Sequence, residues 1–255
     1  MKKKLCRKIA ISNQKGGVAK TVSTAAIASV LTVMGYRVLL IDLDSQGNLS
    51  QTFLRSIPQD TVADLLNDGT LPIVNVREGL DIIPCDTGIS AVAQAMCEPE
   101  DRLILKNALK KISNEYDFIV MDCPPAYNYI TVNAYSAADY IFVPSQTCED
   151  CRQGITLMAD ACLTAVPQKT ISGIFFTLYD SRPKVNREVE EAIRRKYSSL
   201  VMKTTIRVSC KVKEARRKHT DIVSYAPKSN PALDYVALVH EILGIINAKN
   251  NETDR

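Results

Sequence analysis

Short apolar runs alternate with segments of helical periodicity along the whole chain. The run at 8–13 is followed by a glycine-containing turn and a helical pattern over 20–34, which ends at Gly35 as helices often do. The run at 37–44 is apolar at successive positions, which is typical of a parallel strand covered on both faces. Further strands are predicted near 80–84, 117–123, 140–144 and 170–177, and further helices near 61–67, 100–113, 151–165, 185–198 and 231–247. Strands separated by helices predict an α/β fold with a mainly parallel twisted sheet covered by helices on both faces.

Length and composition favour one domain. The chain has 255 residues, of which 46% are hydrophobic, and this is enough to build a single α/β core. No internal repeat, low-complexity linker or change of composition divides it. We therefore expect one domain over 1–248 and a polar tail over 249–255.

Targeting and redox signals exclude several classes of protein. No run of about 18 apolar residues occurs, so no membrane-spanning helix is predicted. The basic segment 1–7 precedes an apolar stretch that is too short for a signal peptide. The eight cysteines are therefore expected to be reduced thiols of a cytoplasmic protein rather than a disulfide framework.

Cys148 and Cys151 form a Cys-x-x-Cys pair. A structural zinc site needs a second pair of ligands, and His219 and His240 are not recognisably spaced as one. Packing at a helix N-terminus is the favoured interpretation of the cysteine pair, with metal binding or redox chemistry as the alternative.

The turn at 14–21, between the first predicted strand and helix, has the composition of a phosphate-binding loop. Gly16 and Gly17 allow backbone N–H groups to turn inward, and the helix N-terminus that follows favours an anion. Lys20 and Thr21 supply an ammonium for the phosphate oxygens and a hydroxyl for Mg²⁺. The standard pattern has glycine at positions 14 and 19 and this chain has neither, so on the pattern alone an ordinary strand–helix turn stays open.

The segment 15–21, KGGVAKT, resembles the deviant phosphate loop of the ParA/MinD ATPases, whose pattern is KGGxxK followed by Ser or Thr. In that family the extra lysine, here Lys15, reaches across a dimer interface to the partner's nucleotide. The resemblance implies a P-loop NTPase that binds ATP and Mg²⁺ as a homodimer. Lys15 would then be a cation placed where negative charge builds on the transferring phosphoryl group.

Two further strand ends agree with this resemblance. The segment 38–48, VLLIDLDSQGN, resembles the family's strand followed by DxDPQGN, and Asp42 and Asp44 point to one side of the strand end where ligands bind. The resemblance implies that Asp44 positions the attacking water and that Asp42 helps to hold the Mg²⁺ shell; acids that merely face solvent are the alternative. The segment 116–125, YDFIVMDCPP, matches the family's YDxIxxDCPP, which implies that Asp122 holds Mg²⁺ together with Thr21.

The resemblance covers roughly residues 7–246. It fits the short partition ATPases best, and we expect no N-terminal helix-turn-helix domain. The segment 173–182 resembles a family segment near which the nucleobase sits, whereas Arg207 and Ser209 replace a proline and an asparagine that frame adenine. Ala19 adds a Cβ to the loop, and a positive φ there would be strained and would make hydrolysis slow.

These comparisons of motifs give a set of expected site residues. Nucleotide binding is expected from Lys15, Gly16, Gly17, Val18, Ala19, Lys20, Thr21, Val22, Thr177, Arg207 and Ser209. Catalysis is expected from Lys15, Lys20 and Asp44, and Mg²⁺ binding from Thr21, Asp42 and Asp122.

Positive charge is concentrated in the C-terminal third of the chain. The whole chain has a net charge of +4, but residues 182–219 contain 13 Lys and Arg against four Glu. A positive electrostatic field of this kind favours binding to the phosphate backbone of nucleic acid, without recognition of bases and with strong salt dependence. The alternative is that these residues form a solvated helix face. The candidate DNA contacts are Arg182, Lys211, Lys213, Arg216, Arg217 and Lys218.

The resemblance implies an ATP-dependent partition ATPase for plasmid, chromosome or mobile-element DNA. Its dimer would bind double-stranded DNA nonspecifically, be reset by a ParB-like centromere-binding partner, and be nucleoid-associated in the cytoplasm without membrane contact. Three alternatives stay open. A MinD-like positioning ATPase needs an amphipathic C-terminal helix, and an iron–sulfur reductase needs two cysteines at a dimer axis, for which Cys97 and Cys123 qualify by count alone. A slow or non-hydrolysing nucleotide-dependent scaffold is the third.

Overall fold

The computed structural model describes residues 5–167 and 169–253, and within them eight strands form one sheet. The strands are β1 (Arg7–Ile11), β2 (Val38–Asp42), β3 (Val74–Arg77), β4 (Leu80–Ile83), β5 (Phe118–Asp122), β6 (Tyr140–Ser145), β7 (Gly173–Tyr179) and β8 (Val201–Arg207). Their order across the sheet is β3-β4-β2-β5-β1-β6-β7-β8. Every neighbouring pair is parallel except β3 with β4. The predicted mainly parallel sheet is therefore confirmed.

Eleven α-helices connect the strands in the described part of the chain. They are α1 (Lys20–Val33), α2 (Asn48–Phe53), α3 (Val62–Asp68), α4 (Ile89–Ala95), α5 (Ile104–Ile112), α6 (Tyr129–Ala137), α7 (Glu149–Ala165), α8 (Lys184–Tyr197), α9 (Cys210–Arg217), α10 (Ile222–Tyr225) and α11 (Asn230–Thr253). Short 3₁₀ turns lie at Pro99–Leu103 and Ser198–Leu200.

Helices cover both faces of the sheet, as predicted. One face buries Leu105 of α5 and Tyr135 of α6 against the strands. The other buries Ile27 and Leu31 of α1 and Leu238 of α11. Because each such side chain contributes about 1.5–3 kcal/mol when it is fully buried, the two apolar layers hold the sheet in place.

The prediction failed at the sheet edges. β3 and β8 were not predicted, because their outer positions carry exposed polar residues and no continuous apolar run marks them. Polar side chains on edge strands also hinder pairing with another sheet. The antiparallel pairing of β3 follows from the tight turn that joins it directly to β4.

The C-terminal helix is longer than predicted. α11 continues to Thr253, beyond the predicted end of the helix and into the segment 249–255 expected to be a polar tail, and residues 254 and 255 lie outside the described residues. Over 230–249 the mean hydropathy is 1.2, enough by length and composition to cross a membrane, although the apolar runs predicted no such helix. Tyr235, Leu238 and Ile242 of this helix are buried where it packs on α1 and β8, which accounts for its apolar composition.

The cysteine prediction is wrong for one pair. Cys148 and Cys151 are joined by a disulfide bond at the start of α7. The other six cysteines are free thiols: Cys6, Cys85, Cys97, Cys123, Cys162 and Cys210.

Candidate nucleotide-binding site

The predicted phosphate loop lies between β1 and α1, at the carboxyl edge of the sheet where ligands bind in parallel α/β folds. It borders a cavity of about 330 Å³, a volume in the range of small-molecule sites. The loop residues that line this cavity are Gly16, Gly17, Ala19, Lys20, Thr21 and Val22. The opposite wall includes Asp44, Asn48, Val212, Ala215 and Arg216.

The loop backbone is left-handed at two positions. Gly17 has a φ of 74° and Ala19 a φ of 60°. Ala19 precedes the first residue of α1, and no side chain caps that helix terminus. The first N–H groups of α1 therefore point toward the cavity edge without competition from a capping side chain, which suits an anion.

The left-handed conformation of Ala19 gives a testable effect on stability. A non-glycine residue pays roughly 1–2 kcal/mol there, and the greater freedom of glycine in the unfolded chain offsets part of the gain. We expect Ala19→Gly to raise the free energy of unfolding by up to about 1 kcal/mol and Ala19→Val to lower it by about 1–2 kcal/mol. Denaturant titration measures both changes.

The matched control is Ala192→Gly in the regular helix α8. The same substitution is expected to cost about 1 kcal/mol there, because glycine is unfavourable in a helix interior. Equal losses at positions 19 and 192 would contradict the strain at Ala19.

Lys20 is a buried cation at the floor of the cavity. It is only 7% exposed, and its ammonium donates a hydrogen bond to the carbonyl oxygen of Lys15 at 3.0 Å. Burial lowers the pKa of Lys20, and the nearby Asp122 carboxylate acts in the opposite direction. A buried ammonium held by a loop carbonyl is well placed to exchange that partner for phosphate oxygens.

Two buried aspartates lie side by side behind the loop. Asp42 and Asp122 are register partners at the ends of β2 and β5, and each is at most 1% exposed. Burial is the main cause that raises the pKa of both carboxyls, and for Asp122 the charge of Asp42 raises it further. Ionising both carboxyls is therefore unfavourable unless a cation lies beside them.

The two carboxylates differ in their hydrogen bonds. Asp42 accepts from the backbone N–H and the hydroxyl of Ser50, at 2.8 and 2.7 Å, and from the N–H of Asp44 at 3.2 Å. Asp122 Oδ1 accepts from the hydroxyl of Thr24 at 3.3 Å, whereas its buried Oδ2 has no hydrogen-bond partner among the described residues. Asp42 thus shapes the turn after β2, and Asp122 keeps an unsatisfied oxygen.

These residues fit Mg²⁺. A buried, unpaired carboxylate oxygen is costly without a cation, and the nearby Thr21 hydroxyl acts to lower the raised pKa of Asp122. Among the described residues, no group of three or more His, Cys, Asp or Glu could hold a metal alone. That suits Mg²⁺, which is usually bound by one or two protein ligands together with substrate phosphates.

Asp44 is held at the cavity wall by the turn after β2. Its Oδ1 accepts from the N–H of Gln46 at 3.0 Å. The turn needs Gly47, which has a φ of 60°, and a Cβ there would lie 2.9 Å from the carbonyl oxygen of Cys85. The predicted position of Asp44 facing the ligand is consistent with this geometry.

Besides Lys15, four predicted nucleotide contacts lie outside the cavity. Val18 is 1% exposed beneath the loop, and the Thr177 hydroxyl donates to its carbonyl oxygen at 3.0 Å, so Thr177 supports the loop from below. Arg207 is paired with Asp234 at 2.6 Å, and Ser209 caps the N-terminus of α9. Val18, Thr177, Arg207 and Ser209 therefore do not line this cavity, and their part in nucleotide binding stays a prediction.

Lys15 lies at the far end of the loop from Lys20. Its backbone N–H donates to Asn13 Oδ1 at 2.9 Å, and Asn13 in turn donates to the carbonyl oxygen of Pro144 at 2.8 Å. The Lys15 ammonium lies 3.2 Å from the sulfur of Cys148. In a single chain it thus points toward the start of α7 and not into the cavity.

α9 was missed by sequence reasoning as a wall of the site. Val212, Ala215 and Arg216 line the cavity, and the Arg216 guanidinium donates to Asn48 Oδ1 at 2.7 Å. Arg216 was predicted as a DNA contact, which stays a prediction; it is exposed and also lines the nucleotide cavity. The only signal in the sequence was the asparagine of the SQGN turn, since the two residues are 168 positions apart.

The other candidate DNA contacts are exposed at the same edge of the sheet as the phosphate loop. Arg182 follows β7 and pairs with Asp180 at 2.6 Å, and Lys211 follows β8 and pairs with Glu214 at 2.9 Å. β7 and β8 are adjacent and parallel, with Tyr179 opposite Arg207. The remaining members, Lys213, Arg217 and Lys218, are exposed on or just after α9.

A glycine-containing turn that leads into a helix opened by lysine and threonine, with the strand-end aspartates behind it, is how P-loop NTPases hold phosphate. We place the chain in that class. A family model described as an AAA domain matches residues 6–170. The chromosome-partitioning ATPase Soj of Treponema pallidum is 34% identical over 249 residues, covering 91% of this chain and 94% of Soj. The chain therefore belongs to the ParA/Soj-type partition ATPases.

Two further proteins support this assignment. The chromosome partitioning protein ParA of Caulobacter vibrioides is 33% identical over 251 residues, covering 93% of this chain and 94% of ParA. The structure of cobyrinic acid a,c-diamide synthase from Mycobacterium smegmatis, solved with an ATP analogue and magnesium, is similar with a TM-score of 0.81. It is 28% identical and covers 94% of this chain and 95% of that one, so nucleotide and Mg²⁺ binding belong to this fold family.

Proposed function

We propose that this chain is an ATP-dependent DNA-partition ATPase. ATP and Mg²⁺ drive formation of a homodimer that binds double-stranded DNA without sequence preference. Hydrolysis, stimulated by a ParB-like partner, resets the dimer, and the protein works in the cytoplasm on the nucleoid. The observation that carries this proposal is α9, which forms a wall of the nucleotide cavity and also exposes cations.

The loop and its lysine account for nucleotide binding. Backbone N–H groups at the start of α1 and the Lys20 ammonium bind the phosphates, while Thr21 and Asp122 hold Mg²⁺. When bound, Mg²⁺ supplies charge that offsets the negative charge building on the phosphates. Asp44, at the cavity wall, orients the attacking water.

Lys15 completes the site of a second copy. In one chain its ammonium points away from the cavity, toward α7. A position outside its own site is what a residue that acts on the partner's nucleotide requires. In the dimer Lys15 stabilises the charge that develops on the transferring phosphoryl group.

α9 couples the nucleotide to DNA. Ala215 and Arg216 face the cavity, and Lys213 and Arg217 are exposed on the same two turns of helix. A shift of this helix upon nucleotide binding also moves the exposed cations. Dimerisation doubles the number of cations that a duplex meets, which strengthens a binding mode dominated by phosphate contacts.

Charge reversal on α9 tests DNA binding. Lys213→Glu together with Arg217→Glu is expected to weaken ATP-dependent binding to random-sequence duplex about 10–100-fold and to reduce the salt slope by about two, because two phosphate contacts are lost. Fluorescence anisotropy with ATP, with ADP and without nucleotide, at two salt concentrations, measures both effects.

The matched control reverses Lys110 and Lys111, which end α5 at the opposite edge of the sheet. Because it changes the net charge equally, a nonspecific effect of charge would weaken both double variants alike and contradict the α9 surface. DNA binding by the wild type that ignores nucleotide state would contradict the partition function itself. DNA-independent ATP binding without turnover would instead favour the scaffold function, for which the strained Ala19 is the supporting observation.

A further inference from the structure

The cysteine pair at the start of α7 contacts the phosphate loop. Cys148 is the residue before the helix and Cys151 lies in its first turn, and their Cα atoms are 5.3 Å apart. The Lys15 ammonium lies 3.2 Å from the sulfur of Cys148 and 3.5 Å from that of Cys151. A bonded Cys-x-x-Cys pair thus touches the side chain that distinguishes this phosphate loop.

The surroundings fix this contact. The helix face behind the pair carries Gly154, where a Cβ would lie 3.7 Å from Asn13 Oδ1 and 3.9 Å from the Cβ of Lys15. Ahead of the pair, the Gln146 amide donates to the carbonyl oxygen of Gly17 at 2.9 Å. The segment at the start of α7 therefore contacts the phosphate loop at both of its ends. A change in the bonding of the two cysteines is expected to alter these contacts.

The two sulfurs differ in access. Cys148 is half-buried, whereas Cys151 is 1% exposed. An external thiol therefore reaches Cys148 first, with Cys151 as the leaving group. This order, with an accessible cysteine at a helix N-terminus and a buried one three residues later, is that of thiol–disulfide exchange pairs.

Reduction changes what Lys15 meets. In the disulfide, the two sulfurs are weak, uncharged acceptors for its ammonium. In the reduced pair, a Cys148 thiolate would face the ammonium at ion-pair distance and also the N-terminus of α7, and both favour the charged sulfur. Reduction therefore strengthens the hold of the pair on Lys15, and oxidation weakens it.

We propose that Cys148 and Cys151 form a redox-active pair that exchanges with low-molecular-weight thiols, and that Lys15 couples its oxidation state to the nucleotide site. The coupling rests on the proposed function of Lys15 at the partner's nucleotide. The reduced pair holds Lys15 at α7 more tightly than the disulfide does and so restrains turnover; in the disulfide form Lys15 moves to the partner's nucleotide more readily.

The exchange balances in two steps. A thiolate attacks the sulfur of Cys148, the Cys148–Cys151 bond breaks, and Cys151 leaves as a thiolate that takes up a proton. A second thiol attacks the external sulfur of the mixed disulfide and releases Cys148 as a thiolate beside Lys15. Two external thiols are thus oxidised to one disulfide, the pair gains two electrons, and one proton goes to solvent. Re-oxidation by a low-molecular-weight disulfide is the reverse.

The redox arm of the test needs neither ATP turnover nor DNA. The full chain is equilibrated at fixed pH with glutathione and glutathione disulfide at graded ratios, quenched with acid, and the alkylation of Cys148 and Cys151 is measured by mass spectrometry. We expect an equilibrium between the two forms across these ratios, and Lys15→Gln shifts its constant toward the disulfide by at least about threefold because the thiolate loses its cation. Lys110→Gln, at a distant exposed lysine, leaves the constant unchanged.

The second part of the test measures how nucleotide binding and the oxidation state of the cysteine pair affect each other. Mg²⁺ with a non-hydrolysable ATP analogue is expected to shift the wild-type equilibrium toward the disulfide, and the oxidised protein binds that analogue more tightly by the same factor, because coupling between two sites is mutual. Cys148→Ser is expected to hydrolyse ATP and to lose any difference in turnover between oxidising and reducing buffers. Thermal unfolding confirms that each variant is folded.

The outcomes separate the two proposals. If the pair stays oxidised at every glutathione ratio, or if Lys15→Gln leaves its redox equilibrium constant unchanged, the proposed redox site is wrong. This conclusion does not depend on what the protein does with ATP. A redox equilibrium that responds to Lys15 but not to the analogue overturns the coupling and leaves the ATPase function standing. Absence of analogue binding in both oxidation states contradicts the proposed function and not the redox chemistry.

Discussion

Replacing Lys20 by alanine is expected to lower the affinity for ATP in the presence of Mg²⁺ at least about a hundredfold. The ammonium is buried at the cavity and is held by the carbonyl oxygen of Lys15 and by the field of Asp122. One or two charge-assisted hydrogen bonds to phosphate are worth about 1.5–3 kcal/mol each, which corresponds to this loss. Isothermal titration calorimetry with a slowly hydrolysed analogue measures it.

The matched control is Lys15→Ala, which removes the other lysine of the same loop. Because its ammonium lies against α7 and not in the cavity, the affinity of a single chain for ATP is expected to change less than about threefold, while ATP turnover is lost. Equal losses of affinity in the two variants would contradict the division of labour between them. Analogue binding by Lys20→Ala within threefold of the wild type would contradict the phosphate loop.

The strands that end in aspartates could be predicted from the sequence because their signals are local. β2 and β5 are short, continuous apolar runs that end in Asp42 and Asp122. Such runs are typical of parallel strands that are buried on both faces. Parallel neighbours then bring the two carboxylates together at one edge. The phosphate loop was likewise contained within eight consecutive residues.

The wall opposite the loop could not be predicted in this way. The contact between Arg216 and Asn48 joins two turns that are far apart in sequence, and a cluster of basic residues does not show which member points inward. The position of each residue around α9 determines which side chains point inward, and Val212, Ala215 and Arg216 share the face toward the cavity. Thr177 illustrates the same limit: its strand was predicted, with both ends shifted by two or three residues, but the sequence did not show that its hydroxyl donates to the loop from below.

The disulfide between Cys148 and Cys151 was missed for a physical reason as well. Composition and targeting signals indicate the cellular compartment of a protein. A disulfide within one helical turn depends instead on whether the two cysteine side chains are close enough to bond. Lys15 is distant in sequence from both cysteines, and the strand β6 that carries α7 to the loop is what brings them together. The spacing of Cys148 and Cys151 marks them as a pair in the sequence, but only the order of the strands shows that Lys15 lies beside them.

Asp122→Asn is expected to raise the free energy of unfolding of the nucleotide-free protein at pH 8 and to reduce Mg²⁺-dependent hydrolysis at least about a hundredfold. The carboxylate is buried beside Asp42 with one oxygen unpaired, so charging it costs stability in the absence of a cation. The gain on removing the charge is on the order of 2 kcal/mol. The loss of hydrolysis follows because the amide binds Mg²⁺ more weakly and supplies less charge.

The dependence on pH identifies the cause. Folding raises the pKa of Asp122, so the folded state binds more protons than the unfolded state above the ordinary aspartate pKa of about 3.9. The stability of the wild type therefore falls as the pH rises from that value through the raised pKa, and the advantage of Asp122→Asn shrinks toward pH 5. Denaturant titration between pH 5 and pH 8 measures this difference, and Mg²⁺ is expected to stabilise the wild type alone. Asp68→Asn, at an exposed carboxylate whose pKa is lowered by its hydrogen bonds to Thr70, gives no such gain at pH 8. A gain for Asp122→Asn that is constant across this range would show that repacking, and not the buried charge, accounts for it.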